Sequence, residues 1–324
     1  MKIGYFLSCE EYSPTELVEQ AAAAEQAGFD ALWISDHFHP WNDEQGESPF
    51  VWSVIGAISQ VCRLPVTTAV TCPTVRVHPA VIAQAAATAS LLLDGKFVLG
   101  VGSGEALNEH ILGDTWPSAD VRLEMLEEAV EVMRLLWTSD GFVSHRGTHY
   151  TVDDAKLYSK PSTPPPVYVS GFGPKAIKLA GKIGDGYVST MPDKDLLQLF
   201  ADSGGAGKPT QAGYKVCWGT DDDTSIDTAH RLWRNSGVPG ELSQVLPSPK
   251  HFEQASELVT REMTADSIAY GNDTDRHLQA FKPFAEAGYD EIYVSQMGGS
   301  EAATSYRGFF DFYADLLPKL RELG

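Results

Sequence analysis

Short apolar runs rich in β-branched and aromatic residues alternate along the chain with longer amphipathic stretches. Lys2–Phe6 predicts a strand. The helix after it starts at Pro14, with Ser13 as N-cap, and stops at Gly28. The same unit recurs as strand Ala31–Ser35 with a helix over Phe50–Cys62, Val66–Val70 with Pro79–Asp94, and Phe97–Gly100 with Val121–Trp137. It continues as Val167–Ser170 with Pro174–Ile183, Gly186–Ser189 with Leu196–Ala201, and Tyr214–Trp218 with Thr224–Trp233. Glu291–Ser295 leads into a closing helix that ends at Leu323. Strict alternation predicts parallel strands with right-handed crossovers. Eight such units predict an α/β chain closed into a (β/α)8 TIM barrel, with an open doubly wound sheet as the other topology.

An internal echo favours the barrel. Ala27-Gly-Phe-Asp-Ala-Leu-Trp-Ile-Ser35 resembles Ala287-Gly-Tyr-Asp-Glu-Ile-Tyr-Val-Ser295, and Gly184-Asp-Gly-Tyr-Val-Ser189 is a fainter version. Three stretches interrupt the alternation: 141–166, with the Pro-rich Ser159–Pro166; 203–213, turn-rich; and 234–274, a helical insertion. The expectation is a single barrel domain over 1–324 carrying these insertions.

Composition narrows the partners. Lys and Arg total 24 against 44 Asp and Glu, a formal net charge of -20. Such a surface repels phosphate backbones and anionic lipid, so neither nucleic acid nor membrane is an expected partner. No apolar run approaches the ~20 residues of a membrane helix, and the opening run Met1–Phe6 shows no signal-peptide h-region or cleavage site, so no signal peptide is expected. The four cysteines are scattered without metal spacing. A reducing cytoplasm without disulfides or structural metal is the expectation.

A barrel of this kind places its active site at the C-terminal strand ends. The second strand ends in Ser35-Asp-His-Phe-His-Pro-Trp41, an acid, two imidazoles and an indole suited to proton exchange near neutrality. The third ends in Thr71-Cys-Pro-Thr74, where Cys72 either faces a ligand or is a small buried thiol. The fourth ends in Gly100-Val-Gly-Ser-Gly-Glu-Ala-Leu-Asn-Glu109, whose glycines allow close approach to the backbone. It lacks the GxGxxG spacing and position of a dinucleotide fingerprint. The fifth ends in Ser170-Gly-Phe-Gly-Pro-Lys-Ala176, glycines before a helix N-terminus, the geometry of an anion site, with Lys175, Lys178 and Lys182 on that helix.

At these loops the chain resembles the deazaflavin-dependent branch of the luciferase-like barrel superfamily, whose members use coenzyme F420. It is most similar to the subfamily of F420-dependent glucose-6-phosphate and secondary alcohol dehydrogenases. The resemblance runs almost end to end, densest in 35–41, 71–84, 102–109 and 171–175 and weakest over 200–275. It implies that Asp36 contacts the deazaflavin and that His37 faces the substrate hydroxyl and the hydride-exchanging ring carbon. Trp41 then walls the substrate, Glu105 serves the ring-nitrogen proton, and Glu10 is a further active-site acid. Asn108 and the loop of Gly171, Phe172, Gly173, Lys175 and Ala176 hold the ring and coenzyme phosphate. Cys72 belongs to the cofactor side and Thr190 to the substrate side. Ala69–Val70 matches the family's non-prolyl cis peptide.

The departures concern the substrate. The sugar-phosphate enzymes hold phosphate with a small Lys/Arg cluster. One of those lysines falls where this chain has Met191-Pro-Asp193, and another where it has Gln254. Arg231, Arg234 and Arg276 are the cations available to compensate. The expectation is therefore an F420-dependent dehydrogenase of a secondary alcohol or sugar-like hydroxyl, acting as a homodimer. Its rivals are a glucose-6-phosphate dehydrogenase proper, an FMN-dependent luciferase-like monooxygenase, and a non-catalytic cofactor-binding barrel.

Overall fold

The repeated Gly-x-Asp turns explain how the strands find their register. Gly28 and Gly288 end their helices in the left-handed region, at φ 92° and 98°, which glycine adopts without a Cβ penalty. Asp30, two residues on, accepts a hydrogen bond from the Ile3 backbone N–H at 2.8 Å, and Asp290 does the same for Thr210 at 2.8 Å. Asp185, in the faint copy, accepts from Val167 at 2.9 Å. Each carboxylate thus pins the first residues of the neighbouring strand and satisfies an N–H that pairing leaves free. The first helix begins with the reciprocal capping box of Ser13 and Glu16.

The computed structural model describes residues 1–324. Its barrel strands are β1 (Lys2–Leu7), β2 (Leu32–Ile34), β3 (Val66–Thr68), β4 (Phe97–Val101), β5 (Val167–Ser170), β6 (Gly186–Ser189), β7 (Thr210–Cys217) and β8 (Glu291–Gln296). All are parallel in the order β7-β8-β1-β2-β3-β4-β5-β6, and β6 pairs back onto β7. The ring is therefore closed, which removes the open-sheet topology. Outward residues such as Tyr5 pack on the helices, its ring 4.7 Å from that of Phe310.

Inside the barrel, an aromatic plug fills the interior. Trp33 stacks on Tyr293 at 4.5 Å and meets Phe6 edge-on at 5.5 Å, while its Nε1–H donates to Gln211 Oε1 at 2.8 Å. Gly213 is glycine because a Cβ there would stand 2.4 Å from the Trp33 ring. These contacts also show why β7 starts at Thr210 rather than at Tyr214. Gln211 and Gly213 belong to the interior layer, so the turn-rich segment gives up its last residues to the strand.

The interruptions lie outside the ring. Val143–Arg146 and Thr151–Ala155 form an antiparallel hairpin. Residues 234–274 contain the helices Leu242–Val245, Pro249–Ala255 and Arg261–Ser267, then a short strand Ala269–Tyr270 added alongside β7. No helix is long and apolar enough to cross a membrane.

Candidate active site

The loop after β2 carries the chemistry and is fixed from below. Asp36 is buried. Its Oδ1 lies 2.9 Å from Arg76 Nη2, and its Oδ2 accepts from Thr71 Oγ1 at 2.8 Å. Arg76 also pairs with buried Glu109, at 3.4 Å from Nε and 2.6 Å from its backbone N–H. A buried charge needs such a partner, and the Asp36–Arg76–Glu109 chain joins the loops after β2, β3 and β4. Sequence reasoning assigned no role to Arg76 or Glu109, although both lie within the stretches of densest resemblance.

His37 sits between two carboxylates. Its Nδ1 is 3.1 Å from the His39 carbonyl oxygen, an acceptor, and 3.3 Å from Asn108 Nδ2, a donor, so this nitrogen is held from both sides and the shorter contact is made when it carries a proton. That turns Nε2 toward Glu10 Oε1 at 3.3 Å and Glu105 Oε2 at 3.6 Å. Asn108 Nδ2 donates to Glu105 Oε2 at 3.3 Å, and its Oδ1 accepts from the Phe38 and His39 N–H groups at 2.9 and 3.2 Å. Asn108 therefore joins the loop after β4 to the loop that holds His37.

The two acids differ in charge. Burial pushes the Glu10 carboxyl up, but His37, Lys215 and the Ser35 hydroxyl outweigh it and hold the group below its ordinary value. Ser8 and Ser35 donate to its Oε2 at 2.8 and 2.7 Å. Glu105 lacks hydroxyl donors. Burial, opposed by His37 and reinforced by Glu10 and Glu109, pushes it up to about 7. Glu10 is thus held toward its ionised form while Glu105 is poised to exchange its proton near neutrality, the separation of acid and base that proton-coupled chemistry uses.

A pH profile checks this. With a raised value of about 7, Glu105 loses its proton as pH rises through neutrality. Alcohol oxidation that draws on the protonated form is expected to decline above about pH 7. Glu105→Gln is expected to lower kcat by roughly 10²-fold and to remove that alkaline limb. A variant that retains the limb would assign it to another group.

Trp41 covers the imidazole, with ring centroids 5.0 Å apart. Phe252, from the helix Pro249–Ala255, meets Trp41 edge-on at 5.0 Å. Asn42 Nδ2 and Gln45 Nε2 both donate to the Leu232 carbonyl oxygen at 2.8 Å. The 234–274 insertion thus supplies one wall of the site, a function that its poor periodicity concealed.

Across the mouth, the Ala69–Val70 peptide is cis. Gly102 faces it, and a Cβ there would stand 2.8 Å from Val70 Cγ2. Gly104 adopts φ +84° and lies over Cys72, whose Sγ would be 2.4 Å from a Cβ. Cys72 is 7% exposed, with Sγ 2.9 Å from Thr74 Oγ1, and burial pushes its thiol well up. Its visible part is packing beneath the Glu105 loop. Gly104→Ala is expected to combine a left-handed strain of about 1–2 kcal/mol with that clash. Displaced Glu105 should then slow single-turnover hydride transfer tenfold or more, as stopped-flow absorbance would read.

The loop after β5 offers donors of a particular kind. Gly173 precedes the helix Pro174–Ile183, no side chain caps that helix, and a Cβ on Gly173 would meet nothing within 4 Å. The first-turn N–H groups of Lys175 and Ala176 are left for an anion. The Lys175 ammonium itself points away, paired with Asp120 at 2.7 Å, and Lys182 pairs with Glu127. Gly171 packs tightly on Ala176, 2.8 Å from its added Cβ to Ala176 Cβ, and Phe172 is exposed. Thr190 is exposed just beyond β6. Of the residues singled out in sequence, His37, Trp41, Glu10, Glu105 and Asn108 are linked by contacts in the structure, and Asp36 adjoins them only through the chain, its own contacts being Thr71 and Arg76; Lys175 and Thr190 are not joined to that set.

The sequence profile described as luciferase-like monooxygenase matches residues 1–304. The F420-dependent glucose-6-phosphate dehydrogenase of Amycolatopsis mediterranei (strain U-32) is 35% identical, covering 100% of this chain and 100% of that protein. An F420-dependent secondary alcohol dehydrogenase, solved in complex with an F420-acetone adduct, superimposes with a TM-score of 0.89 at 32% identity, covering 99% of each chain. The coenzyme F420-dependent tetrahydromethanopterin reductase of Methanopyrus kandleri shares the fold, with a TM-score of 0.74 at 16% identity over 98% of this chain and 99% of that one. With its closed eight-stranded barrel, its strand-end site and a profile match over nearly its whole length, the chain belongs to the luciferase-like family.

Proposed function

We propose that this chain is a coenzyme F420-dependent dehydrogenase that removes hydride from a secondary alcohol or sugar-like hydroxyl. The observation that carries the reading is His37 Nε2 turned toward the Glu10 and Glu105 carboxylates, at 3.3 and 3.6 Å. The mouth fits a flat anionic cofactor. Gly102 and Gly104 keep its wall free of side chains, and the uncapped helix after Gly173 presents N–H donors. Asp36, the 69–70 backbone, Cys72, Asn108 and residues 171–176 would hold the coenzyme, which when bound supplies a hydride acceptor. His37 Nε2 takes the hydroxyl proton of the substrate as general base. Glu10 steadies the resulting imidazolium. Glu105 holds the second proton at Oε2, and Asn108 orients that carboxyl. Trp41 and Phe252 exclude water.

A homodimer in the cytoplasm completes the reading. Phe50, Val81 and Leu92 are exposed along a groove between the helices Val51–Val61 and Pro79–Leu92, an apolar face of the kind that subunit contacts cover.

The glucose-6-phosphate dehydrogenase reading has the identity to such enzymes in its favour, but the departures at Asp193 and Gln254 oppose it. The test is loss of deazaflavin absorbance when purified protein and oxidised F420 meet alcohols, free sugars and sugar phosphates. Turnover with alcohols or free sugars is expected. Turnover confined to glucose 6-phosphate would replace the proposal with that rival, and oxygen uptake with reduced FMN in its place would favour a monooxygenase.

A further inference from the structure

Lys215 is a cation that the chemistry above leaves without a direct contact. It lies on β7, and its parity is that of Gln211 and Gly213, whose neighbours are the interior rings of Trp33 and Tyr293. Its side chain therefore enters the barrel one layer above the aromatic plug. Nζ stands 4.7 Å over the Phe6 ring centroid and 3.7 Å over that of Trp233, favourable seats for a cation.

What it lacks is an acceptor. An ammonium has three N–H donors, yet no carboxylate lies within 4.0 Å of this one and no protein oxygen accepts from it, whereas Lys2, Lys160, Lys175 and Lys182 all have carboxylate partners. The charges that act on it are Glu10 and Glu11, and both have other contacts. Glu10 takes Ser8, Ser35 and His37. Glu11 takes the Trp233 indole N–H at 2.6 Å and the Gly298 backbone N–H. Its position over the aromatic rings and its unused donors point into the mouth where the substrate lies.

We infer that Lys215 hydrogen-bonds a second, uncharged oxygen of the substrate, one that is not oxidised, so that the site favours diols and sugars over simple alcohols. The inference rests on the dehydrogenase reading of this site. A neutral oxygen is indicated because the ammonium already feels the negative charge of Glu10 and Glu11, Glu10 being held below its ordinary value, which disfavours a further anion. A separate oxygen is indicated because His37 contacts Glu10 directly, whereas Lys215 stays beyond 4.0 Å of it. The two groups address the carboxylate, and hence the substrate, from different places.

Two substrates with the same carbon skeleton test this: 2,3-butanediol, with a second hydroxyl, and 2-butanol, without one. In F420-loaded wild type the ratio of kcat/KM for diol over mono-alcohol is expected to exceed one. Lys215→Met, which keeps the apolar stem, is expected to reduce that ratio tenfold or more, through KM. Lys215→Arg, with donors and charge retained, should restore part of it. An unchanged ratio in Lys215→Met would overturn the inference, because any effect relayed through Glu10 strikes both substrates alike. Saturation-transfer NMR of both alcohols on protein loaded with reduced F420 decides the matter without turnover. Equal diol signals from wild type and Lys215→Met would also refute it. If no alcohol reduces F420 at all, the dehydrogenase reading fails, while the NMR comparison still decides for or against Lys215.

Discussion

His37→Ala protein is expected to bind oxidised coenzyme F420 with wild-type affinity and to oxidise alcohols 10²–10⁴-fold more slowly, the range that a positioned general base supplies. Nδ1 is occupied by the His39 carbonyl and the Asn108 amide, so Nε2, directed at Glu10 and Glu105, is the nitrogen placed to take and pass on the substrate proton. Removing the ring leaves Glu10 ionised by Ser8, Ser35 and Lys215, but strips it of the group that relays its charge to the substrate. The coenzyme contacts proposed at 69–72 and 171–176 do not include the imidazole, so a titration of deazaflavin fluorescence should be unaltered. The effect therefore belongs in kcat. Weak F420 binding with normal turnover at saturation would refute the role of base and make His37 a cofactor ligand.

The barrel was legible because its determinants are local and repeated. Gly28, Gly288 and the aspartates after them announce helix ends and strand starts through turn chemistry alone. The loop from Asp36 to Trp41 was legible because polar and aromatic groups crowd one strand end. Lys215 was harder to see. One lysine in Thr210–Cys217 resembles any solvated strand residue until the register shows that it faces Phe6. The Asp36–Arg76–Glu109 chain joins residues from three loops, and no periodicity records pairing at such separations. Phe252 lies in an insertion whose short helices carry little amphipathic signal, so its place against Trp41 is a tertiary fact. Lys175 marks the opposite limit. Its place in the first turn of a helix after a glycine loop suggested a phosphate cation, but Asp120, a neighbour only in three dimensions, takes the ammonium.

Wild-type protein is expected to use glucose 6-phosphate no better than unphosphorylated sugar or alcohol, and the double variant Asp193→Lys/Gln254→Lys is expected to gain tenfold or more in kcat/KM for the phosphate. Charge-assisted hydrogen bonds contribute roughly 1.5–3 kcal/mol each, so two missing cations remove about 3–6 kcal/mol of phosphate recognition, equivalent to roughly two to four powers of ten. The structure weakens the case for compensation. Arg231 is committed to Glu44 and Glu301. Arg276 is committed to Asp222 and the Tyr270 carbonyl. Arg234 alone of the three has no carboxylate partner, and one cation replaces only part of a cluster. Asp193 does more than withhold a positive charge. Its Oδ1 accepts from the Asp195 N–H at 2.8 Å and caps the helix Lys194–Phe200, so a phosphate approaching that loop meets a carboxylate fixed in place. Losing this cap costs the variant about 1 kcal/mol of stability, which a thermal melt would register separately from the kinetic gain. Equal kcat/KM for the phosphate in wild type and double variant would show that phosphate, if it binds, binds elsewhere. A wild type already specific for glucose 6-phosphate would return the chain to the activity its 35%-identical relatives are named for.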